Sequence, residues 1–333
     1  MTTLTLQNIA AHERFKVNAT EVSDIILAMK RLESRYQASD YLNMTNQRRQ
    51  LSNLQIDSRC RHMMCEWSNK MADYFKLSRR TAQVSLSCLD RFLSTSQGQS
   101  CLCDKSKYQL ACIACFYTTV KVHESFEIGV ELISTLSQGA YTVRDILDME
   151  SLILWALNWS VNPPVSSDFI EHFVTLLPFN VSDNTRREFL EKSRFQTELS
   201  LMDYEISVLH KPSRVAMACV VNGICSTSSF PRMVSTLYIN LISKFTGCQP
   251  NSSTILRITE RLASMTRNNK YYELPRSLCI KSVDSIASQS IVTNQTQDHK
   301  SIINLLHGEN QTTAVEHVCK TSMTLHKPIA MIA

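Results

Sequence analysis

Between residues 22 and 157 apolar positions recur at intervals of three and four, the period of helices with one buried face. Val22, Ile25/Ile26, Met29 and Leu32 form the first stripe and predict a helix ending near Tyr41. The segment 43–56 is rich in Asn and Gln and reads as a connector. A second stripe, Met64, Trp67, Met71 and Phe75, belongs to a helix starting near Cys60. Ser78 is placed to cap the next, whose apolar side is Ala82, Leu86, Leu89 and Leu93. Residues 107–120, "KYQLACIACFYTTV", are apolar all round. A helix without a polar face is surrounded by others, so this one is central. A short helix near 127–136 follows, and Thr142 with Asp145 gives a capping-box-like start to 143–157.

The stretch "NPPVSSDF" (162–169) breaks this pattern with two prolines. After it, helical patterns recur near 168–177, 184–203, 213–226, 231–245 and 252–266, a second group of five. From about Arg267 Ser, Thr, Asn and Gln dominate, and the tail is expected to be mostly disordered. The chain thus reads as all-α, with a flexible N-terminus (1–21), an N-terminal helix plus a first helical group (22–162), a second group (163–266) and a tail (267–333).

Composition supports helices. Only six glycines occur in 333 residues, and no proline precedes Pro163. The net charge is +5 with basic doublets only (Arg48–Arg49, Arg79–Arg80), which argues against a nucleic-acid arm. No charged leader with an apolar run opens the chain, and the weakly polar run 108–120 is shorter than the ~20 residues that span a bilayer. A soluble, non-secreted protein without membrane association is expected, its twelve cysteines reduced. Cys101, Cys103, Cys112 and Cys115 carry CxC and CxxC spacings that suggest zinc. Cys112 and Cys115 fall inside the most apolar helix, however, where cysteine acts as a small hydrophobe, so no metal is expected. The chain has no Gly-rich phosphate loop, paired-carboxylate motif or HExxH. Neither a catalytic residue nor a cofactor is expected.

Four charges break the apolar seams. Asp90, in "SCLDRFLS" (87–94), borders the Leu86–Leu89–Leu93 stripe, and Arg61 projects from the side carrying Met64 and Cys65. They either pair across two helices or are both solvated. Glu150 sits mid-seam among Val143, Ile146, Ile153 and Leu157, while Lys121 continues the line Leu110, Ala114, Tyr117. These two either bridge internally, with Lys121 snorkelling, or offer polar ends to the backbone of another protein.

In this order the residues resemble the cyclin family: Arg61 on the first helix, "LDRFLS" (89–94) closing the second, Leu110 and Lys121 on the third, Met149–Glu150 in the fifth. "WSNKMADYFKLSRRT" (67–81) and "ALNWSVNPPVSSDF" (156–169) match the flanks of the cyclin box, and "TELSLMDYEISVLHKPSRVAMA" (197–218) looks like the start of a second cyclin fold. "MKRLESRYQASDYL" (29–42) is similar to the helix preceding the box in A/B-type and algal cyclins. The resemblance implies two tandem five-helix cyclin folds and a non-catalytic regulatory subunit. Such a subunit forms a heterodimer with a cyclin-dependent serine/threonine kinase and activates it in cell-cycle control, in nucleus and cytoplasm. It assigns kinase contact to Lys121 and Glu150, with Val122, His123 and Glu124 beside them, and an internal bridge to Arg61 and Asp90. It implies a patch for substrate or inhibitor docking peptides at Met63, Met64, Trp67, Lys70, Tyr108 and Gln109, and a degradation box at Arg48 and Leu51. Two departures stand out: "KVHE" (121–124) replaces Lys-Phe-Glu-Glu, and "CRHMM" (60–64) replaces Met-Arg-Ala-Ile-Leu. The alternative is a cyclin-fold transcription or scaffold protein that binds other proteins without activating a kinase.

Overall fold

A computed structural model describes residues 20–43, 55–137, 139–178, 180–227, 230 and 232–268. All regular structure among them is helical. The first helix, α1, spans 20–33, and a single turn follows at 41–43. Then come α2 (Ser58–Tyr74), α3 (Arg79–Leu93), a 3-10 turn (Gly98–Cys103), α4 (Lys105–His123), α5 (Val130–Leu136) and α6 (Val143–Ala156). The second group holds α7 (Ser166–Thr175), α8 (Asp183–Met202), α9 (Tyr204–Leu209), α10 (Pro212–Ser226), α11 (Arg232–Thr246) and α12 (Ser253–Asn268). The described residues up to Met265 form one compact unit. None of the described helices is long and apolar enough to cross a membrane.

Side chains punctuate these helices where the chain turns. Asp57 accepts from Cys60 N, Ser78 from Arg80 N, and Asp104 from Ser106 N and Lys107 N. Thr142 and Asp145 cap each other's backbone, completing a capping box. Asp168 Oδ2 accepts from Val165 N at 3.1 Å, and Ser182 accepts from Thr185 N. Each bond satisfies an amide that the helix itself cannot.

α4 is the axis of the first group: Ala111 to Phe116 are all buried, and α2, α3, α5 and α6 pack around it. α10 plays that part in the second, wrapped by α7, α8, α9 and α11. Gly223 lets α10 lie close to α8, since a Cβ there would sit 2.2 Å from Ser193 Oγ.

Two elements differ from the reading by periodicity. α9 is an additional short helix, because Asp203 turns extended after α8 and then caps Ile206 N. α1 ends at 33, well before Tyr41, and its inward line is Val22, Ile26, Met29 and Glu33. Leu32 is 40% exposed, whereas Glu33 is 1% exposed. Glu33 is drawn in by the start of α10: its two oxygens accept from Ser213 N at 2.9 Å and Ser213 Oγ at 2.8 Å. Ile26 is buried within the core of the second group. The N-terminal helix therefore packs on the half of the chain furthest from it in sequence. The expected tail beyond residue 268 lies outside the described residues.

Glu33→Ala removes the carboxylate that satisfies the Ser213 amide and should cost about 1–2 kcal/mol. Urea unfolding measures it, and an unchanged midpoint would mean that this contact does not hold α1 in place.

Candidate functional site

Arg61 and Asp90 meet between α2 and α3. Arg61 Nε lies 2.9 Å from Asp90 Oδ1 and Nη2 lies 2.8 Å from Oδ2, a two-pronged pair. Tyr41 Oη donates to Oδ1 at 2.8 Å, and Arg61 Nη1 donates to the Leu201 carbonyl of α8 at 2.6 Å. Arg61 is 1% exposed and Asp90 4%. Burial works against the Arg61 charge, yet the Asp90 carboxylate beside it holds the guanidinium well above its ordinary pKa. Burial, and then the Asp90 charge, likewise push the Tyr41 phenol well up. One residue on, His62 Nδ1 donates to the Met202 carbonyl at 3.2 Å.

Lys121 and Glu150 meet between α4 and α6. Lys121 Nζ stands 2.7 Å from Glu150 Oε1 and 2.8 Å from Oε2. The Thr118 hydroxyl is 2.9 Å from both Oε1 and the Ala114 carbonyl, so its single proton serves one at a time. The Glu150 side chain is 7% exposed against 36% for Lys121, whose Nζ lies 4.6 Å from the Tyr117 ring centroid. The carboxylate is thus inside and the ammonium at the surface. Exposed Val122 and Phe126 follow directly along the chain.

The neighbours grouped with this pair by resemblance divide. Val122 faces solvent. Glu124 turns back to the start of α3, accepting from Ser78 N at 3.1 Å and from the Thr81 hydroxyl. His123 Nδ1 accepts from Arg80 Nη1 at 3.1 Å. Burial, and then the Arg80 charge, lower the His123 pKa. Arg80 in turn grips Asp168 of α7 at 2.6 and 3.1 Å and reaches Asn162 Oδ1 at 3.3 Å. His123 is therefore tied through Arg80 to the joint between the two helical groups, while Glu124 holds the start of α3 within the first.

Most of the residues expected to form a docking patch lie inside the fold. Met64, Trp67, Tyr108 and Gln109 are buried, at 0%, 5%, 2% and 2% exposure. Trp67 packs edge-on against Phe116, with centroids 5.5 Å apart, and Gln109 Oε1 lies 3.1 Å from Tyr141 Oη. The face of α2 that carries Arg61 inward carries Met64 with it, so only Met63 and Lys70 reach the surface, in part. Cys101, Cys112 and Cys115 are buried and Cys103 partly so, with burial pushing the Cys112 thiol to about 12. Among the described residues no three His, Cys, Asp or Glu side chains group as metal ligands. Arg48 and Leu51 lie outside the described residues.

Arg61→Ala should lower stability by about 3–5 kcal/mol, because Asp90 is left buried without its cation. Tyr41→Phe should cost about 1 kcal/mol. Urea unfolding separates the two, and equal midpoints for wild type and Arg61→Ala would mean that solvent replaces the pair. His123 has a folded pKa below its unfolded value, so the unfolded chain binds more protons in that window. Its contribution is complete above about pH 6.5 and is lost as the pH falls toward the lowered folded value. His123→Gln should flatten the slope of stability between about pH 7 and pH 5; the measurement is a series of melting curves, and an unaltered slope would contradict the assignment.

Comparison with known proteins bears on this arrangement. Residues 24–162 match the family model "Cyclin, N-terminal domain". The G2/mitotic-specific cyclin-A of Hydra viridissima is 26% identical over 275 residues, 82% of this chain and 61% of that protein. Cyclin-B1-1 of Arabidopsis thaliana is 26% identical over 216 residues, covering 65% and 46%. The chain thus spans 61% and 46% of the length of these two relatives. A viral cyclin from herpesvirus saimiri superposes with a TM-score of 0.50 at 19% identity, over 67% of this chain and 97% of that one, which speaks for the fold alone. Residues 24–162, which hold both ion pairs, thus match the N-terminal domain of the cyclin family, and over a longer stretch the chain is similar to mitotic cyclins.

Proposed function

We propose that this chain is a non-catalytic regulatory subunit that binds and activates a cyclin-dependent serine/threonine kinase in cell-cycle control. The observation that carries the reading is the Lys121–Glu150 pair, whose acid is buried and whose ammonium reaches the surface. An ammonium has three protons; with both Glu150 oxygens in reach, the third, on the side of the Tyr117 ring, can turn to a backbone carbonyl of a partner helix end. Val122 and Phe126 add apolar area next to it. A pair set in place before binding spares the complex the ordering cost of two long side chains.

The physical task needs no chemistry from this chain. A kinase becomes active when its helix C glutamate reaches the strand lysine that holds the ATP phosphates. A partner that binds only that state shifts the population, and moving it from 1:99 to 99:1 takes about 5.5 kcal/mol of differential affinity. Residues 163–266 would form the second cyclin fold, with nucleus and cytoplasm as the site of action. Substrate peptides would meet Met63 and Lys70, the parts of the first-helix patch that reach solvent.

A second reading, a cyclin-fold scaffold that activates no kinase, is favoured by the inward turn of His123 and Glu124, which removes two side chains from the contact edge. One experiment separates them. Wild type should copurify with a cyclin-dependent kinase and raise its phosphorylation of histone. A variant carrying both Lys121→Ala and Glu150→Ala should lose binding at least roughly a hundredfold and keep its helical circular dichroism. Normal activation by that folded variant would sink the site assignment, and absence of any such kinase from the wild-type preparation would favour the scaffold.

A further inference from the structure

The end of α1 is held to the second helical group by one side chain after another. Lys30 Nζ lies at the end of α11, 2.7 Å from where a Cβ on Gly247 would stand. Glu33 accepts from Ser213 at the start of α10, and Gln37 Nε2 donates to the Val208 carbonyl at 2.5 Å. Between them Ser34, the first residue after α1, is exposed, and its hydroxyl oxygen accepts from Lys211 Nζ at 2.8 Å. Lys211 directly precedes α10 and forms no ion pair among the described residues. Its ammonium thus meets a neutral oxygen where a charged one would be held more strongly.

The surrounding charge favours an anion on that hydroxyl. Arg31, three residues before Ser34, and Arg35, directly after it, are both exposed. Glu33 is the one acid between residues 30 and 39, and it faces inward on Ser213. A kinase with an acidic substrate groove fits such a segment. The Arg-x-x-Ser spacing also occurs at Arg261–Ser264, but that serine lies inside α12, whereas Ser34 stands past the end of its helix. Reaching a kinase groove requires the last turn of α1 to unwind, and helix ends are the parts that open most readily.

We propose that Ser34 is a phosphorylation site for a serine kinase that reads basic residues, and that Lys211 holds the phosphate and so fastens α1 to the second helical group. The γ-phosphoryl group comes from ATP. A bond forms between Ser34 Oγ and the γ-phosphorus, the bond from that phosphorus to the β-phosphate oxygen breaks, ADP leaves, and the hydroxyl proton passes to the kinase's catalytic aspartate. Phosphoserine carries nearly two negative charges and three strong acceptor oxygens, so the neutral contact with Lys211 becomes a charged one. The site is apart from the Lys121–Glu150 pair and does not rest on the proposal that this chain activates a kinase.

Two measurements on the full chain test it. Incubation with ATP and calmodulin-dependent protein kinase II, a kinase that selects arginine three residues before the acceptor, should place phosphate on Ser34, located by mass spectrometry. Hydrogen exchange then reads the fastening. Phosphoserine installed at position 34 during translation should slow exchange of the α1 amides roughly fivefold relative to the unmodified chain. Lys211→Met, checked for retained helical circular dichroism, should abolish that gain. No phosphate on Ser34, unchanged or faster α1 exchange in the phosphoserine chain, or an undiminished gain in Lys211→Met would overturn the proposal.

Discussion

The Arg61–Asp90 pair holds four parts of the chain at one buried point. Arg61 comes from α2, Asp90 from α3, Tyr41 from the segment after α1, and the Leu201 carbonyl from the end of α8. Two charges at 1% and 4% exposure are tolerable only as a set, because each lone pair and N–H that loses water must regain a partner. Such a pair adds little net stability over apolar packing, but breaking it is expensive. Its physical effect is thus to make alternatives costly: α2 cannot rotate about its axis without stranding a guanidinium. The contact with Leu201 extends that constraint to the second helical group, and Glu33 on Ser213 extends it again through α1.

The second ion pair is built differently. Arg61 presents a planar fork whose directions are used by Asp90 and Leu201, so nothing points outward. Lys121 is a point charge on a flexible stem, and only its inner side is engaged. Both pairs interrupt an apolar seam in the same manner, and solvent access is what divides them. The fully buried one fixes geometry. The half-satisfied one leaves donors at the surface beside Tyr117, where another chain can compete for the ammonium.

Local features were legible in the sequence because they are short-ranged. Ser78, Thr142 and Asp145 cap helices a few residues away, and the spacing of Ile146, Glu150 and Ile153 places the acid on the inner seam. Contacts across long separations left no such mark. No periodicity leads from Tyr41 to Asp90 or from Glu33 to Ser213, and a carboxylate following Leu32 is not an expected core residue. Other signals were present but countermanded: an inward Arg61 implies an inward Met64 by helical geometry, so a surface patch at Met64 conflicts with the bridge that the same helix makes. His123 and Glu124 close α4, and their direction depends on what lies opposite. Arg80 and the start of α3 draw them inward.

Asp90 and Arg91 show how much one dipeptide can organise. Adjacent helical residues point about 100° apart, so opposite charges at these positions leave α3 in different directions. Asp90 faces α2 and the segment of Tyr41, while Arg91 faces Tyr36 and the Ser160 carbonyl beyond α6. The chain after α1 therefore touches both, through Tyr36 on one side and Tyr41 on the other. The short stretch from Tyr36 to Tyr41 is therefore held to α3 at two adjacent positions, each against a desolvated charge.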